Sequence, residues 1–196
     1  MQMIQFILAS ASPRRKRLLE KAGYRFSVQP SEIDEAAFEI DGIDSATLCR
    51  RLALAKANAV AARYHDAMVM GSDTVVDLDG EIIGKPDDAA HAEAITRKLF
   101  SRPHKVLTGL ALVCIAKGIE IVEVDTTTVY PKTLTEAQIA EHIRKGDWQG
   151  KAGAYGIQET GDEFVERIEG SFTNVMGLPM ELTQQLLGRL EIVPYE

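Results

Sequence analysis

The sequence is poor in cysteine and histidine, the residues that build disulfide frameworks and zinc sites. Its two cysteines, Cys49 and Cys114, lie far apart, and its four histidines are scattered without a His-x-x-x-His pair. Both kinds of site need several such residues at short, regular spacing. We therefore expect neither a disulfide scaffold nor a structural zinc site, and two unpaired thiols fit a reducing compartment.

Long apolar segments are also missing. The longest, residues 106–116, is interrupted by Thr108 and Gly109 and falls well short of the roughly 20 residues that a membrane span needs. Residues 1–11 end in a sequence that resembles a signal-peptide cleavage site, but they lack a basic n-region and a sufficiently long apolar stretch. The expected location is the cytoplasm, with no membrane as a partner.

Positive charge is scarce as well, because 22 basic residues stand against 29 acidic ones and the formal net charge is −7. A general nucleic-acid binder needs Lys and Arg to neutralise phosphates, so this balance argues against a nucleic-acid polymer as partner. The exception is a run of four cations at residues 14–17. The length of 196 residues and the 45% hydrophobic content indicate one globular domain over residues 1–196.

Apolar runs alternate with helical patterns, which is typical of an α/β or α+β fold. Residues 4–8 predict a buried strand, and Ser12 followed by proline predicts the start of a helix. Ser45 is the predicted N-cap of a long helix, and residues 68–71 predict a short strand that stops at Ser72. The remaining strands and helices are predicted over residues 24–28, 75–78, 81–83, 88–100, 105–116, 119–130, 135–145, 164–168 and 179–190.

The start of the first predicted helix combines small residues with arginines, in the order Ser10-Ala11-Ser12-Pro13-Arg14-Arg15. Helix N-termini carry unpaired N–H groups and a partial positive charge, so they bind phosphates readily. Arg14 and Arg15 fall in the first helical turn, where cations are unfavourable unless an anion is bound. This placement favours a phosphate ligand over a capped helix with solvated basic residues, an interpretation that we keep for Lys16 and Arg17.

Asp73 follows an apolar strand, a common place for catalytic or metal-binding carboxylates, and burying it without a partner would be costly. Catalysis or metal binding is therefore favoured over a purely structural role. Lys56, Lys85 and Glu35 are each, taken alone, more typical of solvated side chains. Together with the two arginines they would suit a polyphosphate bound with a divalent metal ion that carboxylates hold.

Residues 151–158 read Lys-Ala-Gly-Ala-Tyr-Gly-Ile-Gln. Two glycines around a tyrosine suggest backbone held close to a ligand, and the amide of Gln158 offers the donor and acceptor needed to read a base edge. The alternative is a glycine-rich turn, which the spacing alone leaves open. The segment is not a GxGxxG dinucleotide fingerprint, because no strand and helix flank it.

Four motifs follow one another in order: Leu-Ala-Ser-Ala-Ser-Pro-Arg-Arg at residues 8–15, Gly-Ser-Asp-Thr-Val at 71–75, Gly-Lys-Pro at 84–86, and the segment 151–158. Together they closely resemble the Maf family of nucleoside triphosphate pyrophosphatases, over residues 4 to about 190. The resemblance implies an α/β fold in which a mixed twisted sheet and flanking helices form two lobes around a cleft, similar to inosine triphosphate pyrophosphatases.

The resemblance further implies hydrolysis between the α- and β-phosphates of a nucleoside triphosphate, giving a nucleoside monophosphate and diphosphate, with a divalent cation that is usually Mg²⁺. Asp73 matches the family's catalytic carboxylate, which is expected to activate water and to bind the metal. Glu35 matches an acidic residue near the metal. The family's phosphate-contacting positions correspond to Ser10, Arg15, Lys56 and Lys85. A homodimer is also suggested.

The family divides into a branch resembling dTTP/UTP pyrophosphatases and a branch resembling 7-methyl-GTP pyrophosphatases. The second typically has an aromatic residue in place of Arg14 and glutamine in place of Thr74, and it lacks the run that ends in Gln158. At all three positions this sequence resembles the first branch. The Gln158 amide could pair with the imide edge of uracil or thymine.

Three other functions stay open at this point: a 7-methyl-GTP pyrophosphatase, a nucleotide-binding regulator of cell division without catalysis, and a nucleic-acid binder that uses residues 14–17. Asp73 together with its cations favours an enzyme over a regulator, because a pure binder needs no base. No aromatic residue interrupts the basic run, which disfavours nucleic acid.

Overall fold

The computed structural model describes residues 4–38, 42–157 and 164–195, and these ranges contain a seven-stranded sheet with helices on both sides. The strands are β1 (Phe6–Leu8), β2 (Ser27–Val28), β3 (Met68–Leu78), β4 (Glu81–Ile83), β5 (His104–Cys114), β6 (Ile119–Pro131) and β7 (Val165–Glu169). The helices are α1 (Pro13–Lys21), α2 (Ser45–Ala61), α3 (Ala89–Leu99), α4 (Glu136–Lys145), α5 (Phe172–Met176) and α6 (Met180–Arg189). The expected α/β class with a mixed sheet is confirmed.

The order of the strands leaves part of one edge of β3 open. The sheet runs β2-β1-β3-β5-β6-β7, with β1 parallel to both of its neighbours and the other pairs antiparallel. On the edge of β3 away from β5, β1 pairs only as far as Met70 and β4 pairs only from Val76. Within the described ranges, residues 71–75 therefore have no strand beside them on that edge.

Side chains alternate along β3, so Asp73 faces one side of the sheet and Thr74 faces the other. On the Asp73 side, α2 covers the sheet with buried residues that include Leu52 and Ala53. The other side carries two apolar clusters, one built with α1 and α6 and the other with α3. Four polar residues on β3, β5 and β6 lie between these two clusters: Ser72, Thr74, Thr108 and Thr127.

Two glycines let α2 lie very close to the sheet. A Cβ built on Gly71 would lie 2.1 Å from the carbonyl oxygen of Ala53, and one built on Gly109 would lie 2.2 Å from the carbonyl oxygen of Cys49. Both distances are far inside van der Waals contact, so neither position accepts a side chain while α2 stays in place. This close approach fixes the position of α2 above Asp73.

The prediction of a short strand over residues 68–71 was wrong, because β3 continues for 11 residues through Ser72, Asp73 and Thr74. Polar side chains in the middle of an apolar run suggested the end of a strand. In the structure β5 pairs with β3 all the way from Val69 to Asp77, and the polar side chains find partners on both faces of the sheet.

Two further details concern helix ends. Asp44, and not the predicted Ser45, caps α2, since its carboxylate accepts a hydrogen bond from the backbone N–H of Thr47 at 2.8 Å. The predicted capping of α1 by Ser12 is confirmed.

The short helix α5 was not predicted at all. Among the helices in the described ranges, none has the length and apolar character that crossing a membrane requires.

The close contact between α2 and the sheet predicts the effect of adding one methyl group. Gly109→Ala is expected to lower the free energy of unfolding by about 1–3 kcal/mol or more, because the new Cβ would overlap the backbone of α2. Gly188→Ala in α6 is the matched control, since nothing lies within 4 Å of its added Cβ and alanine favours a helix. Urea denaturation measures both, and equal stability of the two variants would contradict the packing argument.

Candidate active site

A pocket of about 540 Å³ opens at the bare edge of β3. Eight of the residues singled out from the sequence line it: Ser10, Arg14, Arg15, Glu35, Lys56, Asp73, Thr74 and Lys85. The ninth, Gln158, lies outside the described residues. Residues that are distant in sequence thus border one cavity.

A buried ion pair lies at the centre of the charged part of this pocket. Lys56 Nζ lies 2.5 Å from Asp73 Oδ1, and only 8% and 10% of the two side chains are exposed. Lys56 comes from α2 and Asp73 from β3, so the close packing of the helix on the sheet brings them together. Each side chain therefore supplies the opposite charge that the other needs in a partly dry site.

Glu35 extends this pair into a chain of four charges. It lies in a single 3-10 turn, Glu35–Ala37, and its Oε1 and Oε2 atoms lie 2.7 Å from Lys56 Nζ and 3.1 Å from Lys85 Nζ. Partial burial raises the pKa of Glu35, but the hydrogen bonds and charges of Lys56 and Lys85 outweigh it and hold that pKa below its usual value. The carboxylate is therefore ionised at neutral pH.

The N-terminus of α1 forms the neighbouring wall. Ser12 Oγ accepts a hydrogen bond from the backbone N–H of Arg15 at 3.4 Å, and Ser10 Oγ accepts one from the N–H of Ser12 at 3.2 Å. The strand β1 ends just before this loop, so the N-terminus of α1 borders the pocket. Such a helix terminus attracts anions.

Arg15 connects α1 to β3 and to the turn after α5. Its Nε donates to the carbonyl oxygen of Gly177 at 2.8 Å, while Nη1 and Nη2 donate to Ser10 Oγ and Thr74 Oγ1, both at 3.1 Å. Burial lowers the pKa of Arg15, and the charge of Asp73 partly opposes this shift. Three of its five side-chain N–H groups are hydrogen-bonded within the protein, which leaves two that could reach a phosphate.

Arg14 lies half-buried beside the segment of residues 149–157. Among the described residues its Nε is buried without a hydrogen-bond partner, and its Nη1 would lie 3.5 Å from a Cβ built on Gly156. Burial, and to a lesser extent the charge of Arg17, lowers the pKa of Arg14. A buried donor without a protein partner is available to a ligand. Lys16 and Arg17 are exposed, as expected.

The segment of residues 149–157 is anchored at its glycine-rich centre. The N–H of Gly153 donates to the carbonyl oxygen of Gly84 at 3.0 Å, next to Lys85. His142 Nε2 lies 2.8 Å from the carbonyl oxygen of Ala154, and His104 Nε2 lies 2.6 Å from the hydroxyl of Tyr155. Neither histidine was singled out from the sequence, because a lone histidine gives no pattern.

A third part of the pocket is apolar and was also missed from the sequence. It is lined by Val76, Val106, Ile157, Val175 and Met176. Val76 and Val106 are a cross-strand pair on the side of the sheet opposite Asp73, and the last two residues belong to α5. The cap signals that could have revealed α5 are Ser171 before it and Gly177 after it.

Two carboxylates are available to a divalent metal ion. Asp73 Oδ1 and Glu35 Oε1 both lie within hydrogen-bond distance of the same nitrogen, Lys56 Nζ. No cluster of three or more His, Cys, Asp or Glu side chains that could hold a metal occurs in the described part of the chain. This donor set suits Mg²⁺, which is commonly bound by one or two carboxylates together with substrate phosphates.

Cys49 lies beneath the charged cluster but cannot act as a nucleophile there. It is fully buried, and its Sγ donates to the carbonyl oxygen of Leu107 at 3.3 Å. Burial, together with the charge of Asp73, raises the pKa of Cys49 to about 12. The thiol therefore stays protonated at neutral pH.

Residues 5–190 match the family described as Maf-like protein. The dTTP/UTP pyrophosphatase of Symbiobacterium thermophilum is 45% identical over 185 residues, which cover 94% of this chain and 93% of that protein. The dTTP/UTP pyrophosphatase of Moorella thermoacetica is 44% identical and covers 94% of both chains. The solved structure of the Staphylococcus aureus Ham1 protein aligns with a TM-score of 0.49 at 15% identity, over 97% of this chain and 91% of that one.

The lowered pKa of Glu35 predicts how stability depends on pH. A carboxyl group whose folded-state pKa lies below its unfolded value of about 4.3 stabilises the protein fully above that value. This contribution disappears as the pH falls through the folded-state pKa. The difference in unfolding free energy between the wild type and Glu35→Gln should thus be constant from about pH 6 to 8 and shrink below about pH 4.

Urea denaturation of both proteins across this pH range measures that difference. Glu32→Gln removes a carboxylate from the same loop and is the matched control. A difference between the wild type and Glu35→Gln that grows as the pH falls would contradict the assigned ion pairs.

Proposed function

The chain belongs to the family of Maf-like proteins, and on that premise we propose that it hydrolyses dTTP and UTP to the nucleoside monophosphate and diphosphate. The observation that carries the proposal is the charged chain Lys85–Glu35–Lys56–Asp73 at the same cavity as the N-terminus of α1. Cations, carboxylates and a helix terminus together match a polyphosphate and the water that attacks it.

Asp73 is the proposed base. Its carboxylate accepts a proton from a water molecule, whose oxygen forms a bond to one of the two phosphorus atoms of the α,β-anhydride. The bond from that phosphorus to the bridging oxygen breaks, and the bridging oxygen leaves with the other product, so that the nucleoside monophosphate and diphosphate separate. Lys56 holds one carboxylate oxygen of Asp73 and leaves the other, Oδ2, to receive the proton. A base that is fixed by a buried partner needs little rearrangement when the water reacts.

The phosphates lie between the N-terminus of α1 and Lys85 in this proposal. Ser10, Arg15 and Lys85 neutralise or hydrogen-bond the phosphate oxygens, and the positive end of the α1 dipole adds to them. More than half of the Lys85 side chain is exposed, at 55%, so it can move from Glu35 to an incoming phosphate. Glu35 thus keeps the lysine in the pocket before substrate binds.

Glu35 and Asp73 would hold a divalent metal ion, and Mg²⁺ is the proposed one. When bound, such an ion draws electrons from the phosphate and neutralises its charge. Binding would require Lys56 to share the two carboxylates with the ion. The exposure of Glu35, 41% of its side chain, allows this change.

Base recognition falls to Arg14, Thr74 and Gln158 in this proposal. Arg14 contributes the buried Nε without a partner among the described residues, and the Thr74 hydroxyl borders the pocket next to Arg15. The rival substrate is 7-methyl-GTP, which the same positions disfavour. We also propose that the protein works in the cytoplasm as a homodimer, and light scattering after size-exclusion chromatography tests the dimer.

Replacing the base should remove turnover without unfolding the protein. Asp73→Asn is expected to lower kcat for dTTP and UTP by about 10²–10⁴-fold, because a general base contributes that much. Asp77→Asn is the matched control, since Asp77 lies on the same strand and face but contacts Ser45 and Gly80 instead of the pocket. Diphosphate release is measured for each, with circular dichroism to monitor folding. Near-normal turnover by Asp73→Asn would remove this residue from the mechanism.

A panel of natural triphosphates and 7-methyl-GTP, each with and without Mg²⁺, tests the function itself. Diphosphate release is expected to be fastest from dTTP and UTP and to need the metal. A preference for 7-methyl-GTP would overturn the substrate assignment. Nucleotide binding without any turnover would instead support a regulator that does not catalyse.

A further inference from the structure

The chemistry proposed above leaves the apolar part of the pocket without a role. Val76 and Val106 form its floor and are each only 2% exposed. Val175 and Met176 on α5 form a wall above that floor, and both are only partly buried. A ligand would therefore touch the wall residues more than the floor.

This apolar wall and the charged chain lie on opposite sides of the sheet. Asp73 and Lys56 are on the α2 side, whereas Val76 belongs to the opposite face of β3. The two regions share one cavity because the edge of β3 is open over residues 71–75. A ligand that fills both must have a polyanionic part and an apolar part joined by a short connection, as a nucleoside triphosphate does.

The wall is held rigidly although α5 has only five residues. Asn174 Nδ2 donates to the carbonyl oxygen of Val106 and to Thr127 Oγ1, both at 3.0 Å. Thr108 Oγ1 donates to the carbonyl oxygen of Asn174 at 3.1 Å. So short a helix has little stability of its own. These buried bonds fix α5 on the sheet, so the wall exists before a ligand arrives.

We propose that the nucleoside part of the substrate lies against Val175 and Met176, and that Met176 is a substrate-binding residue for that part. The inference rests on the proposed function. An unbranched, polarisable side chain adapts well to a planar base. The side chain belongs to the apolar part of the pocket and not to the charged chain, so we expect its contacts to be equal in the ground state and the transition state, to set KM and to leave kcat unchanged.

The experiment compares two ligands that share a phosphate chain. Met176→Ala should raise KM for dTTP and UTP about tenfold and change kcat by less than about twofold, because it removes apolar groups that the bound nucleoside would cover. Inorganic tripolyphosphate carries no base or sugar, so its inhibition constant should not change. Met176→Leu keeps the apolar volume and should behave like the wild type.

Leu182→Ala is the control for lost core packing, since Leu182 contacts the same apolar cluster as Met176 but does not line the pocket. It should lower stability and leave KM unchanged. If Met176→Ala does not fold, Val175→Thr is the second test of the same proposal. It places a hydroxyl in the apolar wall at nearly equal side-chain volume and should raise KM severalfold.

An unchanged KM in the folded variant, or a parallel loss of tripolyphosphate inhibition, would overturn this inference alone. A wild type that hydrolyses neither dTTP nor UTP would overturn the proposed function, which the same measurement reports separately.

Discussion

The direct contact between the backbone of α2 and the sheet is the constraint on which the charged part of the pocket depends. Gly71 and Gly109 lack the Cβ atoms that would hold the helix away, and Ala53 lies against the first of them. Lys56 follows Ala53 by about one helical turn, so its side chain contacts Asp73. A more distant helix would leave a buried carboxylate without its cation, which is strongly destabilising. The ion pair between Lys56 and Asp73 therefore depends on the backbone packing of α2 against the sheet.

The open edge of β3 has an equally simple cause. The last backbone hydrogen bond between the β1 segment and β3 runs from the N–H of Ala9 to the carbonyl oxygen of Met70. The chain then turns away from the sheet into α1. The first turn of that helix thus falls beside the unpaired stretch of β3. Side chains from both faces of a strand can border one cavity only where such an edge is exposed. The pocket combines Asp73 and Thr74 for this reason.

Short-range signals allowed much of this to be predicted from the sequence. The N-cap at Ser12 depends on local chemistry. The roles of Glu35, Lys56 and Lys85 came from the resemblance to the Maf family, because each of these residues, taken alone, is typical of a solvated side chain. All of them border one pocket. The passage of β3 through Asp73 could not be predicted, because it depends on pairing with β5, which is distant in sequence. The helix α5 was not predicted for a related reason. Hydrogen bonds from Asn174 to β5 and β6 stabilise it, whereas its own five residues give little helical signal.

The net charge of the whole chain and the charge of the pocket have opposite signs. The chain carries −7 overall, yet five cationic side chains and two carboxylates border the pocket among the residues that the structure describes. Exposed charges are screened within about 8 Å at physiological ionic strength, so the acidic exterior has little effect inside the cavity. A nucleic-acid polymer would have to lie along that exterior, whereas a nucleotide meets only the pocket. An acidic net charge together with a cationic cavity is therefore expected to favour small polyanions by size as well as by charge.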